Sequence, residues 1–179
     1  MFQRALKSRE KVLGPDHPGT LTSVNNLALV LRDLGRYSES EMMFRRALES
    51  AEKALGPDHP STLASVNNLA MVVQDLGRYA ESETMHRRAL ESRDEVLGPD
   101  HPDTLTSVNN LASVVRDLGR YAESETMFWR ALEGRQNVLG QDHPDTLTSA
   151  NNLASVLRDL GRYAESETLH RRALESKEK

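Results

Sequence analysis

The chain of 179 residues contains no cysteine, which removes disulfides, thiolate nucleophiles and cysteine-based metal sites together. Aromatic residues make up 4% and apolar residues 37%, lean for a single closed core of this length. A molecule that buries only the surfaces between neighbouring units tolerates that poverty. Lysine and arginine number 23 against 27 aspartates and glutamates. No surplus of positive charge is available to neutralise a phosphate backbone, so no nucleic acid partner is expected. No apolar run approaches the roughly 18 residues that span a bilayer. The opening Met1-Phe2-Gln3-Arg4 has no signal-peptide hydrophobic stretch, and there is no Asn-x-Ser/Thr sequon. The expectation is a cytoplasmic protein with no membrane partner.

What the chain does have is a period. Gly14, Gly56, Gly98 and Gly140 lie 42 residues apart, and Gly35, Gly77, Gly119 and Gly161 repeat in the same register. The copies starting at Asp58 and Asp100 agree at roughly three quarters of their positions, and a period in the forties marks a solenoid of stacked helical hairpins. In the second copy Leu63, Val66, Leu69, Ala70, Val73 and Leu76 recur at steps of three or four, one face of a helix A that Gly77 stops. Helix B of that copy places Tyr79, Ser82, Met85, His86, Ala89, Leu90, Val96 and Leu97 on its buried side, and Gly98-Pro99 stops it. Asp100 then offers an N-cap, Pro102 a first-turn residue that needs no donor, and Asp103 a favourable charge. Short loops force antiparallel neighbours, so helices alternate A, B along the chain.

The register divides one continuous all-α solenoid of about nine helices into a partial repeat at residues 1-13 carrying helix B only and four units at 14-56, 57-98, 99-140 and 141-179. The N-terminal Met1-Phe2-Gln3-Arg4-Ala5-Leu6 matches Met43-Phe44-Arg45-Arg46-Ala47-Leu48. Neither end carries the polar cap that solenoids normally need, which suggests a fragment of a longer array or ends that find each other.

The pattern Asn67-Asn68-Leu69-Ala70, then Leu76-Gly77-Arg78-Tyr79-Ala80-Glu81-Ser82, then Arg88-Ala89-Leu90-Glu91 resembles the tetratricopeptide repeat. The 42-residue length with Gly98-Pro99-Asp100-His101-Pro102 is similar to its kinesin-light-chain-type subclass. The resemblance covers essentially the whole chain. It implies a right-handed superhelix whose A helices line a concave groove for peptide or protein partners. Where the family commonly carries alanine in helix B, this chain has Ser40, Ser82, Ser124 and Ser166, tolerable if each hydroxyl bonds back to a carbonyl four residues earlier.

Opposite the apolar stripe of helix A stand Thr22, Asn26, Leu29 and Arg32, with Asn25 at the margin, and their counterparts in the later copies. The candidate ligand-binding set is therefore a ladder of asparagine pairs, Asn25-Asn26, Asn67-Asn68, Asn109-Asn110 and Asn151-Asn152. Beside it run a variable rung, Leu29, Met71, Ser113 and Ser155, and a polar rung, Arg32, Gln74, Arg116 and Arg158. An amide offers a donor and an acceptor to an extended peptide, or equally to the next asparagine in the stack. Four net hydrogen bonds of about 0.5–1.5 kcal/mol each fall short of the roughly 8 kcal/mol of micromolar binding. An apolar anchor near Leu29 and Met71 is expected to supply the rest.

Trp129 stands where Arg45, Arg87 and Arg171 lie four residues after a glutamate, so its copy loses an i,i+4 ion pair. It reads either as a binding hot spot or as repeat drift. His17, His59, His101 and His143 recur at the full period, and equivalent side chains on packed helices stand about 8–10 Å apart, too far to share one metal ion. They read as helix-start residues, with no metal or cofactor. His86 and His170 occupy the buried position of Phe44 and Phe128 and read as packed histidines with a possible pH-sensitive contact. Arginine pairs such as Arg87-Arg88 are interleaved with glutamates, a solvated face rather than a nucleic-acid track. No phosphate loop or nucleophile elbow is present, so no enzyme is expected. Two roles remain: a protein-interaction module, as an arm of a larger signalling or adaptor protein, or a head-to-tail array associating through Phe2 and Leu6 at one end and Leu169 and Leu174 at the other.

Overall fold

The computed structural model describes the backbone of residues 2–175 and the side chains of residues 8–174. Among these residues there are nine α-helices and no strand. They fall into two compact units, Met1–Met85 and His86–Lys179.

Unit 1 holds α1 (Phe2–Leu13), α2 (Pro18–Asp33), α3 (Tyr37–Leu55), α4 (Pro60–Asp75) and the start of α5 (Tyr79–Leu97). The A helices α2 and α4 start identically. His17 and His59 adopt extended backbone and accept, through Nδ1, the N–H of Gly19 and Ser61 at 3.1 and 3.2 Å. A proline follows at the first helical position, where its missing N–H leaves no bond unmade. The cap is thus the histidine rather than the preceding aspartate: the ring nitrogen reaches the orphan N–H two residues on, while Asp16 instead accepts from Ser50 Oγ at 2.6 Å. Helix α2 ends in a Schellman motif. Gly35 takes φ +73°, its N–H reaches Arg32 O at 2.9 Å, and the Arg36 N–H reaches Leu31 O at 2.9 Å. Only glycine adopts that left-handed turn without a Cβ clash.

The core of unit 1 interleaves Val24, Leu27, Leu31 and Ala47 with a second cluster of Ala28, Phe44, Leu69, Val72 and Val73. The serine at the helix-B position does not bond within its own helix. Ser40 Oγ donates to Ala28 O at 2.7 Å and Ser82 Oγ to Ala70 O at 2.8 Å, crossing to the facing A helix. A carbonyl has two lone pairs, so the alanine oxygen takes this bond beside its helical one. Two small residues facing each other bring the backbones within its reach.

Unit 2 holds the rest of α5, then α6 (Pro102–Asp117), α7 (Tyr121–Leu139), α8 (Pro144–Asp159) and α9 (Tyr163–Glu175). It reuses the same devices: His101 and His143 cap α6 and α8, and Ser124 and Ser166 donate to Ala112 O and Ala154 O, both at 2.7 Å. Phe128, Leu132, Leu153, Val156 and Leu157 form its core. On α5, Ser82, His86 and Ala89 are buried as the periodicity predicts, but Val96 is 61% exposed. Arg93, one turn earlier, is 5% exposed, because its guanidinium has partners on α6.

Candidate functional site

Each unit presents a pair of neighbouring A helices. In unit 1, Asn26 and Leu29 of α2 are exposed, Leu29 to 38%, and Asn68 and Met71 of α4 are half-buried beside them. Arg32 is held by Asp75 on the next A helix, and Gln74 is half-buried. In unit 2 the corresponding Asn110, Ser113, Asn152 and Ser155 are half-buried and Arg158 is exposed. There Arg116 is paired with Asp159 at 2.5 Å. Two of the four polar-rung residues therefore already have carboxylate partners one repeat away.

The asparagine pairs divide their roles. Asn67 and Asn109 are buried at 5% and 8% exposure. Asn109 Oδ1 accepts from Asn152 Nδ2 at 3.1 Å, one repeat along, so here the amide joins adjacent A helices. Asn151 Oδ1 contacts His170 Nδ1 at 3.0 Å, and Ser155 Oγ donates to Asn151 O at 3.0 Å. A step of 100° per residue places the first asparagine of a pair toward the neighbouring helices and the second toward the open face. Asn25 differs: its Oδ1 is shielded from solvent and has no hydrogen-bond partner.

The B helices carry charge networks. In unit 1, Glu41 accepts from Arg45 at 2.7 Å and Arg78 at 2.8 Å, and Arg45 also reaches Glu81 at 2.9 Å. Partial burial disfavours the Glu41 anion, but hydrogen bonds from Arg45 and Arg78 outweigh it and hold the carboxyl below its usual range. In unit 2, Arg162 joins Glu125 at 2.5 Å and Glu165 at 2.6 Å, while Trp129 takes the position of Arg45. Trp129 is 38% exposed and borders an open cleft of about 220 Å³ with Leu157, Glu165, Thr168 and Leu169.

His86 is completely buried, and burial pushes its pKa down to about 4. Among the described residues no group of three histidine, aspartate or glutamate side chains is placed to hold a metal ion, and no helix is long and apolar enough to cross a membrane. Of the expected end contacts, Phe2 and Leu6 lie outside the described side chains. Leu169 packs against the unit 2 core and Leu174 is 62% exposed.

One recurring device was not singled out in the sequence. Arg9, Arg93 and Arg135 sit at one repeat position, and each guanidinium ties a B helix to the start of the following A helix. Arg9 Nη1 donates to Gly19 O at 2.9 Å and Ser23 Oγ at 2.7 Å. Arg93 does the same to Asp103 O and Ser107 Oγ at 3.0 and 2.9 Å. Arg135 reaches Asp145 O and Ser149 Oγ at 3.0 and 2.8 Å, and Thr106 Oγ1 at 2.9 Å. Burial lowers the pKa of Arg93 and Arg135, and Asp103 and Asp145 partly offset it. Among the described side chains the remaining copy of the position is Ala51, and a cavity of about 150 Å³ lies beside it. The signal was in the alignment itself: a basic residue in four copies of one repeat position, Arg9, Arg93, Arg135 and Lys177, replaced by alanine in one.

Two tetratricopeptide repeat models match, one over residues 1–19 and 20–61, the other over 62–128 and 106–179. The chain belongs to the tetratricopeptide repeat family. Solved structures share the fold of this tetratricopeptide repeat chain. A Podosopora anserina kinesin light chain with nearly identical TPR-like repeats is 24% identical, with 98% of this chain and 83% of that one covered and a TM-score of 0.74. BtubC (BKLC) from P. vanneervenii is also 24% identical, with 98% and 70% covered and a TM-score of 0.79. A Rap protein complexed with Competence and Sporulation Factor is 16% identical, with 98% of this chain but 46% of that one covered and a TM-score of 0.83. These likenesses establish an α-solenoid of helical hairpins. No curated protein matches the chain.

Proposed function

We propose that this tetratricopeptide repeat chain is a protein-interaction module that receives a peptide or partner protein on its A-helix face, as an arm of a larger signalling or adaptor protein. The observation that carries the reading is the unit 1 face, where Leu29 is 38% exposed beside half-buried Met71, with Asn26 and Asn68 alongside. Exposed apolar side chains framed by amides and by the Arg32–Asp75 pair offer a ligand both a dry anchor and hydrogen bonds. A fold neighbour holding a bound factor agrees with that use. A binding role also agrees with the engagement of charged groups such as Arg45 with Glu41 and Glu81 on the B helices.

Affinity selection from a displayed peptide library, followed by titration of the selected peptide, tests the proposal. Leu29→Ser combined with Met71→Ser is expected to weaken binding about tenfold to a hundredfold, the equivalent of one buried aliphatic side chain. Unchanged affinity would remove this face from the reading.

A further inference from the structure

The cavity in unit 1 has the outline of a missing side chain. It opens between α2, α3 and α4, with Thr22, Asn25, Ala51, Ser61 and Ser65 among the residues around it. In unit 2 the arginine at the Ala51 position, Arg135, occupies the corresponding place between α6, α7 and α8. The acceptors that Arg93 and Arg135 use recur here: Ser61 O and Ser65 Oγ stand where Asp103 O and Ser107 Oγ receive Arg93, and Thr22 stands where Thr106 receives Arg135. Their hydroxyl protons are already committed. Thr22 Oγ1 donates to Pro18 O at 3.0 Å, as Thr106 does to Pro102 O at 2.9 Å, and Ser65 Oγ donates to Ser61 O at 3.1 Å. What each turns toward the cavity is therefore a lone pair.

Two further features select the ligand's charge and shape. The acceptors are set at one end of the cavity, Ser61 and Ser65 on α4 facing Thr22 on α2, a spread that a forked donor spans. Asp16 lines the mouth and brings a carboxylate, while Leu21 and Ala47 give the wall an apolar surface along which an alkyl stem can lie. The volume of about 150 Å³ far exceeds the roughly 10–15 Å³ that one water needs. A planar cation with several N–H donors on a flexible apolar stem satisfies all of these groups. An ammonium, a point charge with three donors, matches them less well.

We propose that this cavity is a receptor site for an arginine side chain of a partner peptide, whose guanidinium donates to Ser61 O, Ser65 Oγ and Thr22 Oγ1. The inference rests on the interaction-module reading and deepens it by naming the residue that anchors the partner. Thr22 and Asn25 lie one helical turn before Asn26 and Leu29, so an arginine in the cavity and an apolar residue on Leu29 belong to one bound segment.

The test is titration of the full chain with Nα-acetyl-arginine amide, followed by amide NMR shifts and calorimetry, with the citrulline and lysine analogues and free L-arginine in parallel. Saturable binding is expected, with shifts at Thr22, Asn25, Ser61 and Ser65, and with citrulline about tenfold weaker because its charge-assisted bonds are lost. Ala51→Arg is expected to abolish binding and to raise Tm by about 2–4 °C, since the chain then supplies its own guanidinium. Thr22→Val with Ser65→Ala, which removes acceptors without filling the space, is expected to weaken the probe at least tenfold. Leu29→Ser with Met71→Ser leaves this small probe unaffected, so failure of the wider face and failure of the arginine site are distinguished. No shifts at millimolar probe, equal binding of citrulline, or undiminished binding by Ala51→Arg would overturn the proposal. Free L-arginine binding more tightly than the capped amide would overturn the assignment to a peptide.

Discussion

Replacing His86 with phenylalanine, the residue at the same repeat position in Phe44 and Phe128, is expected to remove an acid sensitivity from the chain. His86 is completely buried, and burial lowers its pKa from 6.5 to about 4. The sign follows from which state binds the proton. Between pH 6.5 and 4 the unfolded chain protonates this histidine and the folded chain does not, so the unfolded state gains protons and stability falls as pH falls. Above pH 6.5 the ring is neutral in both states and contributes no slope. At pH 4.5 the loss relative to pH 7.5 is about 2.5 kcal/mol. Glu39, Glu41 and Glu165 are held below 4.5 by hydrogen bonds from arginines. Their contribution is present above that pH and is lost as pH falls further, and it cancels between the two proteins. The assay is urea denaturation of wild type and His86→Phe at pH 7.5 and 4.5, together with NMR titration of the His86 ring. The stability difference between the two proteins is expected to move by about 2.5 kcal/mol in favour of the variant on acidification. An unchanged difference, or a ring that titrates near 6.5, would refute the reasoning, because either result means the imidazole is hydrated in the folded chain.

Further consequences follow from the contacts between repeats. Arg135→Ala removes three hydrogen bonds and is expected to destabilise the chain by about 1–3 kcal/mol, read as a lower urea midpoint. A double-mutant cycle of Asn109→Ala and Asn152→Ala is expected to give a coupling of about 0.5–1.5 kcal/mol for their 3.1 Å bond; a coupling of zero would show the amides acting separately. Ser82→Ala is expected to cost about 0.5–1.5 kcal/mol through the lost bond to Ala70 O. Ser82→Val is expected to cost more, about 1–3 kcal/mol, because the extra methyl must enter a closed contact. Trp129→Arg restores the residue of the other copies beside Glu165, and as an exposed pair it is expected to change stability by less than about 1 kcal/mol. A larger loss in thermal melts would show that the indole is part of the packing.

Much of the fold was legible because the repeat states it four times. The apolar steps on helix A, the glycine stops and the prolines at helix starts each follow from local chemistry, and all recur at the same spacing. The site was legible only in outline. Helical periodicity puts Asn67 at the margin of the apolar stripe and Asn68 opposite it, but that the margin is closed, with Asn67 buried and Asn68 half-open, is decided by the packing of the folded helices. Arg32 and Arg116 read as free rungs until Asp75 and Asp159 arrive from the next repeat. The serine hydroxyls were expected to turn back on their own helix. They cross to a carbonyl twelve residues earlier, a partner that exists only once the hairpin closes.

The amino-acid order alone thus determined the elements and their alternation, since helix periodicity, capping and turn chemistry act over a few residues and need no distant partner. It also placed the one alanine among arginines at positions 9, 51, 93 and 135. Only the folded hairpins decided what that substitution does. A cavity comes into being when three helices are brought together around a side chain too short to reach across.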